Sequence, residues 1–139
     1  MNDPEVTRYL MAGRVPQTVE SITAFVQSLP PWAYAIEYQE RHVGNIMLRA
    51  LDEASCVGEV GVLLGDRSVW GKGVASAALN QLTRIAFDEL KLKKLWAGTC
   101  NPACSRLFQR NWWAREGTQR EHVFLNGIWH DHELFGRWR

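Results

Sequence analysis

A run of β-forming residues ends at Leu64, two glycines one residue apart follow at Gly71 and Gly73, and a long amphipathic pattern begins at once. A strand feeding a helix through a glycine turn commits the chain to layers, with the helix packed on the sheet that holds the strand. The two glycines let backbone approach a ligand closely, and the first N–H groups of the following helix have no internal partners. Lys72 and the helix dipole add positive character, so Leu64–Ala75 reads as an anion cradle suited to phosphate. The plainer alternative is a tight loop before a helix. Two phosphate motifs are excluded. A P-loop needs four residues between its first Gly and the Gly-Lys pair and then Ser or Thr, whereas Gly65 is too far from Gly71 and Gly73 follows Lys72. A dinucleotide fingerprint needs its first Gly at the strand end, and Asp66 to Trp70 intervene.

The length of 139 residues argues for one domain spanning 1–139. The net charge of +1 comes from interspersed acidic and basic residues, which gives no electrostatic footprint for nucleic acid or an anionic membrane. Apolar runs are too short to cross a bilayer, and Met1–Glu5 lacks the flank of a signal peptide, so a cytoplasmic location is expected. Cys56, Cys100 and Cys104 show neither metal-ligand pairing nor a Cys-x-x-Cys motif, which fits reduced thiols.

Asp3 and Pro4 predict a short helix to about Met11, and Thr18 caps a second carrying Val19, Ile22, Phe25, Val26 and Leu29 at helical spacing. Trp32–Tyr38 and His42–Leu51 read as a hairpin around Gln39-Glu40-Arg41. Cys56–Leu64 is a third strand, with Gly58 and Gly61 marking a bulge or a close approach. An amphipathic helix over Lys72–Leu90, a strand at Leu95–Cys100 and a helix opened by Pro102 follow, and Asn126-Gly127 joins a final hairpin. This order predicts an α/β (α+β) fold, a mixed sheet with helices on its faces.

These residues resemble the GNAT acetyltransferase superfamily, in the branch that acts on ribosomal-protein N-termini and on nucleotide amino sugars, over almost the whole chain. Glu59-Val60-Gly61 and Trp70-Gly71-Lys72-Gly73 fall on that family's strand and pyrophosphate-loop motifs. Asn101, Arg106, Trp113, Glu116-Gly117, Arg120, Gly127, Trp129 and Asp131 fall on its later frame. The resemblance implies a central sheet splayed between the family's fourth and fifth strands, and acetyl-CoA as co-substrate without a metal. It places the pyrophosphate on the amides of Gly71, Lys72, Gly73, Val74 and Ala75 beside Trp70. The pantetheine arm would run along Val62 and Leu64, with Asn101 and Arg106 as further cofactor contacts. Asn101 reads equally well as the cap of the helix opened by Pro102. Three departures stand out: Ser68 begins the pyrophosphate motif, Trp112 replaces a glycine, and Phe108 replaces a tyrosine proton donor. The family's first strand has no counterpart, so a sheet edge is exposed and a homodimer covering it is plausible.

Acetyl transfer to an amine requires a proton acceptor, a stabilised oxyanion and a proton for the leaving thiolate. Glu59 is the candidate base by resemblance, with a strand glutamate paired to an arginine as its alternative. Cys104 is a candidate near the thioester sulfur, or a buried small hydrophobe. The backbone amide of Val62 is the oxyanion candidate by resemblance. Metal binding by His130-x-His132 is rejected because no third ligand spacing is evident; with His122, Glu121 and Asp131 these histidines shape the acceptor end. Most of the seven tryptophans are expected in the core, with Trp32, Trp112 and Trp113 suspected of lining an acceptor pocket. The expectation is an N-acetyltransferase for a small or peptidic primary amine, and the alternatives are a silent acyl-CoA-binding module or an interaction subunit of the same fold.

Overall fold

The computed structural model describes residues 2–139. Asp3 caps α1 (Pro4–Thr7), which ends sooner than the sequence predicts because the chain re-forms as a 3-10 turn at Met11–Arg14. Thr18 caps α2 (Val19–Gln27) through a reciprocal box with Ser21. The apolar stripe of α2 is left mostly in solvent, with Val19, Phe25 and Val26 all exposed.

β1 (Ala33–Tyr38) and β2 (Arg41–Asp52) form the first hairpin. Its turn residues Gln39 and Glu40 both have positive φ, 50° and 61°, so two non-glycine residues adopt the turn that matches strand twist. β3 (Val57–Leu64) pairs antiparallel with β2, and Arg49 is the extra residue of a bulge between the Leu48–Val60 and Ala50–Glu59 pairs. α3 (Val74–Arg84) runs on into a wider turn at Ile85–Glu89 before β4 (Lys94–Thr99). After α4 (Pro102–Arg110), β5 (Ala114–Leu125) and β6 (Ile128–Trp138) close the chain around Asn126-Gly127, both at positive φ.

The strands form one sheet in the order β1-β2-β3-β4-β6-β5, with β3 and β4 its only parallel pair among the described residues. β1 is therefore an edge strand. Alternation sorts the side chains: Gly58, Val60, Leu95, Ala97 and Phe135 are buried on one face. α3 and α4 lie side by side on that face, tied by Asn80 donating to Asn111 at 2.9 Å and Asn111 donating to Ser76 at 3.0 Å. The core there includes Leu79, Leu82, Phe87, Phe108 and Trp113. Trp113 is the one tryptophan of that buried set; Trp70, Trp112, Trp129 and Trp138 are exposed, contrary to the expectation that most would be interior.

The end of α4 accounts for both Trp112 and Trp113. The Trp113 amide donates to the Phe108 carbonyl at 3.0 Å and the Trp112 amide to that of Gln109 at 3.2 Å, the bond pair of a helix stop that places one residue in left-handed conformation. Trp112 takes it at φ 66° although glycine is the usual occupant, and its side chain is 86% exposed. The residue after it, Trp113, turns inward onto Phe108 with ring centroids 5.0 Å apart. Because Trp112 pays a steric cost and contributes little burial, Trp112→Gly should stabilise the fold by about 1 kcal/mol, which chemical denaturation at matched slope would measure.

Candidate active site

Parallel pairing between β3 and β4 covers only Val57–Lys94, Gly58–Leu95 and Glu59–Trp96, although β3 continues to Leu64 and β4 to Thr99. Past that point β3 is held only by β2, and β4 only by β6. The gap is the expected splay. Antiparallel register sets which backbone groups face it. The Leu48 amide donates to Trp32 across on β1, and the Gly65 amide to Val43, which makes the intervening Ile46–Val62 and Gly44–Leu64 pairs non-hydrogen-bonded. The polar groups of Val62 and Leu64 consequently point away from β2 and into the gap. One of them is engaged: the Trp70 indole N–H donates to the Leu64 carbonyl at 3.2 Å.

The loop after β3 is braced before it reaches α3. Asp66 accepts from the Ser68 amide at 2.9 Å and from its hydroxyl at 2.6 Å, and Arg41 lies 3.4 Å away. These bonds to Ser68, then the charges of Arg41 and Lys72, hold the Asp66 carboxyl below its usual range. Gly71 and Gly73 have φ of 73° and 78°, and Gly73 is the N-cap of α3 without a side-chain acceptor. A Cβ on either would meet nothing within 4 Å, so conformation requires glycine there and the space before the helix is open. The first-turn amides of α3 face that space. The amide of Lys72 is the exception, donating back to Val69 at 3.4 Å.

The face opposite α3 and α4 carries Glu59 and Gly61 of β3, Trp96 and Gly98 of β4, and His130, His132 and Leu134 of β6, by alternation from the buried residues. Arg49 lies across Gly61, where a Cβ would come within 2.5 Å of its Cδ, and its guanidinium is 3.6 Å from the Glu59 carboxylate. Glu59 thus stands beside the gap as a carboxylate paired to an arginine. The N-terminal segment closes one rim: Tyr9 packs edge-on against His130 at 5.7 Å, and its carbonyl accepts from the Cys100 thiol at 3.7 Å.

The other sequence candidates are dispersed. The Asn101 side chain caps α4, accepting from the Ala103 amide at 2.9 Å, as its capping reading requires. Cys104 packs against the core, and burial pushes its thiol above the ordinary value, so it is a protonated thiol near neutral pH. Arg106 is exposed on α4. Trp32 is half-buried against the core beside β1, away from the gap in the sheet order. Trp113, at 3% exposure, is a core residue rather than a pocket wall, because the α4 stop turns it inward. His132, read from the sequence as one of the histidines that shape the acceptor end, comes to lie beside Gly98, a placement that depends on β4–β6 register.

The site is a sheet opened between two parallel strands, with a glycine cradle at the start of the following helix. The family model described as "Acetyltransferase (GNAT) domain" matches residues 1–111, and the chain belongs to that family. Among curated relatives, Probable N-acetyltransferase YjcK of Bacillus subtilis (strain 168) is 34% identical over 71 residues, covering 50% of this chain and 39% of that protein. The chain spans less than half the length of the curated relatives it matches. RimL, a ribosomal L7/L12 alpha-N-protein acetyltransferase solved with coenzyme A, superposes with TM-score 0.86 at 22% identity, over 95% of this chain and 78% of its own. Spermidine N-acetyltransferase from Vibrio cholerae, solved with CoA and spermine, gives 0.85 at 17% identity, over 99% and 84%.

Asn101 supplies a direct check on its two readings. Asn101→Ala should destabilise the fold by about 1 kcal/mol through loss of the cap, whereas Asn101→Asp keeps the cap. Acetyl-CoA affinity unchanged in the aspartate variant would confine Asn101 to capping.

Proposed function

We propose that this chain is an acetyl-CoA-dependent N-acetyltransferase that moves the acetyl group directly to a primary amine in a ternary complex. The observation that carries the reading is the gap: the Val62 backbone groups and the Leu64 amide face it without a strand partner, and it leads straight to the glycine cradle of α3. An amide-bearing pantetheine arm pairs with such an edge as an added strand would. Amides of Gly71, Gly73, Val74 and Ala75, with Lys72 nearby, suit a pyrophosphate. The Val62 amide is placed to receive the oxyanion of a thioester carbonyl lying along β3. On the opposite face Glu59 draws the acceptor ammonium toward the gap.

The acceptor class is a small or peptidic amine. The relatives' names support that breadth, since they include a ribosomal-protein N-terminal enzyme and a spermidine enzyme. We also infer that a second copy covers the exposed β1 edge. A silent acyl-CoA-binding module is the second reading, favoured by Phe108. That residue is buried between Trp113 and Phe135 and offers no hydroxyl to the leaving thiolate.

Calorimetric titration with acetyl-CoA tests the reading. Micromolar binding by the parent, weakened at least tenfold (about 1.4 kcal/mol) by Gly73→Tyr, is expected. No binding by the parent would sink it, and binding without transfer to any amine would favour the silent module.

A further inference from the structure

Alkyl amines are ammonium ions near neutral pH, since their pKa lies near the lysine value of about 10.4. A group beside the gap must therefore remove a proton before the nitrogen can attack. Building on the reading above, the open question is which group does so.

β2, β3 and β5 bring titratable or charged groups toward one imidazole on β6. Arg49 of β2 and Glu59 of β3 form the 3.6 Å ion pair already described. His122 of β5 stacks on His132 of β6 at 5.7 Å, with the planes 25° apart. The His132 ring lies flat on β4 at Gly98: a Cβ there would come within 2.4 Å of its Cε1 and 2.7 Å of its Nε2. Only glycine leaves room for the ring, and Gly98 lies two residues past Trp96, where the β3–β4 ladder ends. Gln119 Oε1 lies 2.9 Å from His132 Nδ1 and anchors the ring.

We propose that His132 is the proton acceptor for the amine, with Gln119 as the positioning residue that anchors its ring and Gly98 as the space that admits it. The neutral His132 ring takes one proton from the acceptor ammonium. The freed nitrogen pair forms the C–N bond to the thioester carbonyl carbon, the C–S pair leaves with sulfur, and the nitrogen's second proton neutralises the thiolate. The imidazolium returns its proton to solvent, so each turnover releases one amide, one CoA thiol and one proton. Burial first, then the charge of His122, lowers the His132 pKa below its ordinary 6.5, against the Gly98 carbonyl and the Glu59 carboxylate, which raise it. The ring is thus neutral near pH 7, and Glu59 is on hand to stabilise the imidazolium once formed.

The test follows CoA release from acetyl-CoA with a thiol reagent, across spermine, an alanine-headed peptide and glucosamine, between about pH 5 and 9. For the parent, kcat/KM should fall as pH drops below about 6.5, where the neutral ring is lost. His132→Gln should lower kcat/KM about 100-fold or more and abolish that acidic limb, with acetyl-CoA affinity by calorimetry unchanged. Gly98→Ala, which keeps the imidazole but displaces it, should lower kcat in the same direction, and added imidazole should partly restore His132→Gly. A His132→Gln enzyme that keeps both rate and acidic limb would overturn the assignment while leaving the acetyltransferase reading intact. A parent that binds acetyl-CoA but transfers to no amine would overturn both.

Discussion

β3 and β4 run parallel for three residue pairs and then part, each held on its outer side by a strand that does not let it follow the other. The Val62 backbone and the Leu64 amide are thereby left without a strand partner. The surrounding structure keeps this opening fixed. β2 stays paired with β3 through Leu64, the Trp70 indole satisfies the last carbonyl, and the braced Asp66 turn delivers the chain to α3 with its first amides uncovered.

The two sides of the sheet divide the work. Alternation places Gly58, Val60, Leu95, Ala97 and Phe135 under α3 and α4, where the apolar core secures the register of the opening. The same alternation sends Glu59, Gly61, Trp96, Gly98 and His132 to the other side. One ligand can then lie in the gap while another approaches across it, the arrangement a direct transfer requires. Arg49 shows how local irregularity serves that side: the bulge that displaces it carries its stem over Gly61 and its guanidinium to Glu59.

Much of the fold was legible because its signals are local. Thr18 and Ser21 made their capping box, Asn126-Gly127 made its turn, and Gly71 and Gly73 took the positive φ that glycine permits. The splay could be anticipated from family resemblance alone, since no periodicity encodes where two distant strands part. Local chemistry failed where tertiary context decides. Gln39, Glu40 and Trp112 hold positive φ without being glycine, and Trp113 entered the core because of how α4 stops. His132 and Gly98 are 34 positions apart by number and meet only through β4–β6 pairing, so neither residue advertises the other.

The central claim is that the Val62 and Leu64 amides wait for a ligand in the gap, and residue-resolved amide hydrogen exchange reads it most directly. Without ligand, both should exchange far faster than the amides of Gly61 and Leu63, which bond to β2; saturating acetyl-CoA should bring them to comparable protection. Amides of Val62 and Leu64 already protected in the free protein, or unmoved by bound acetyl-CoA, would contradict the account.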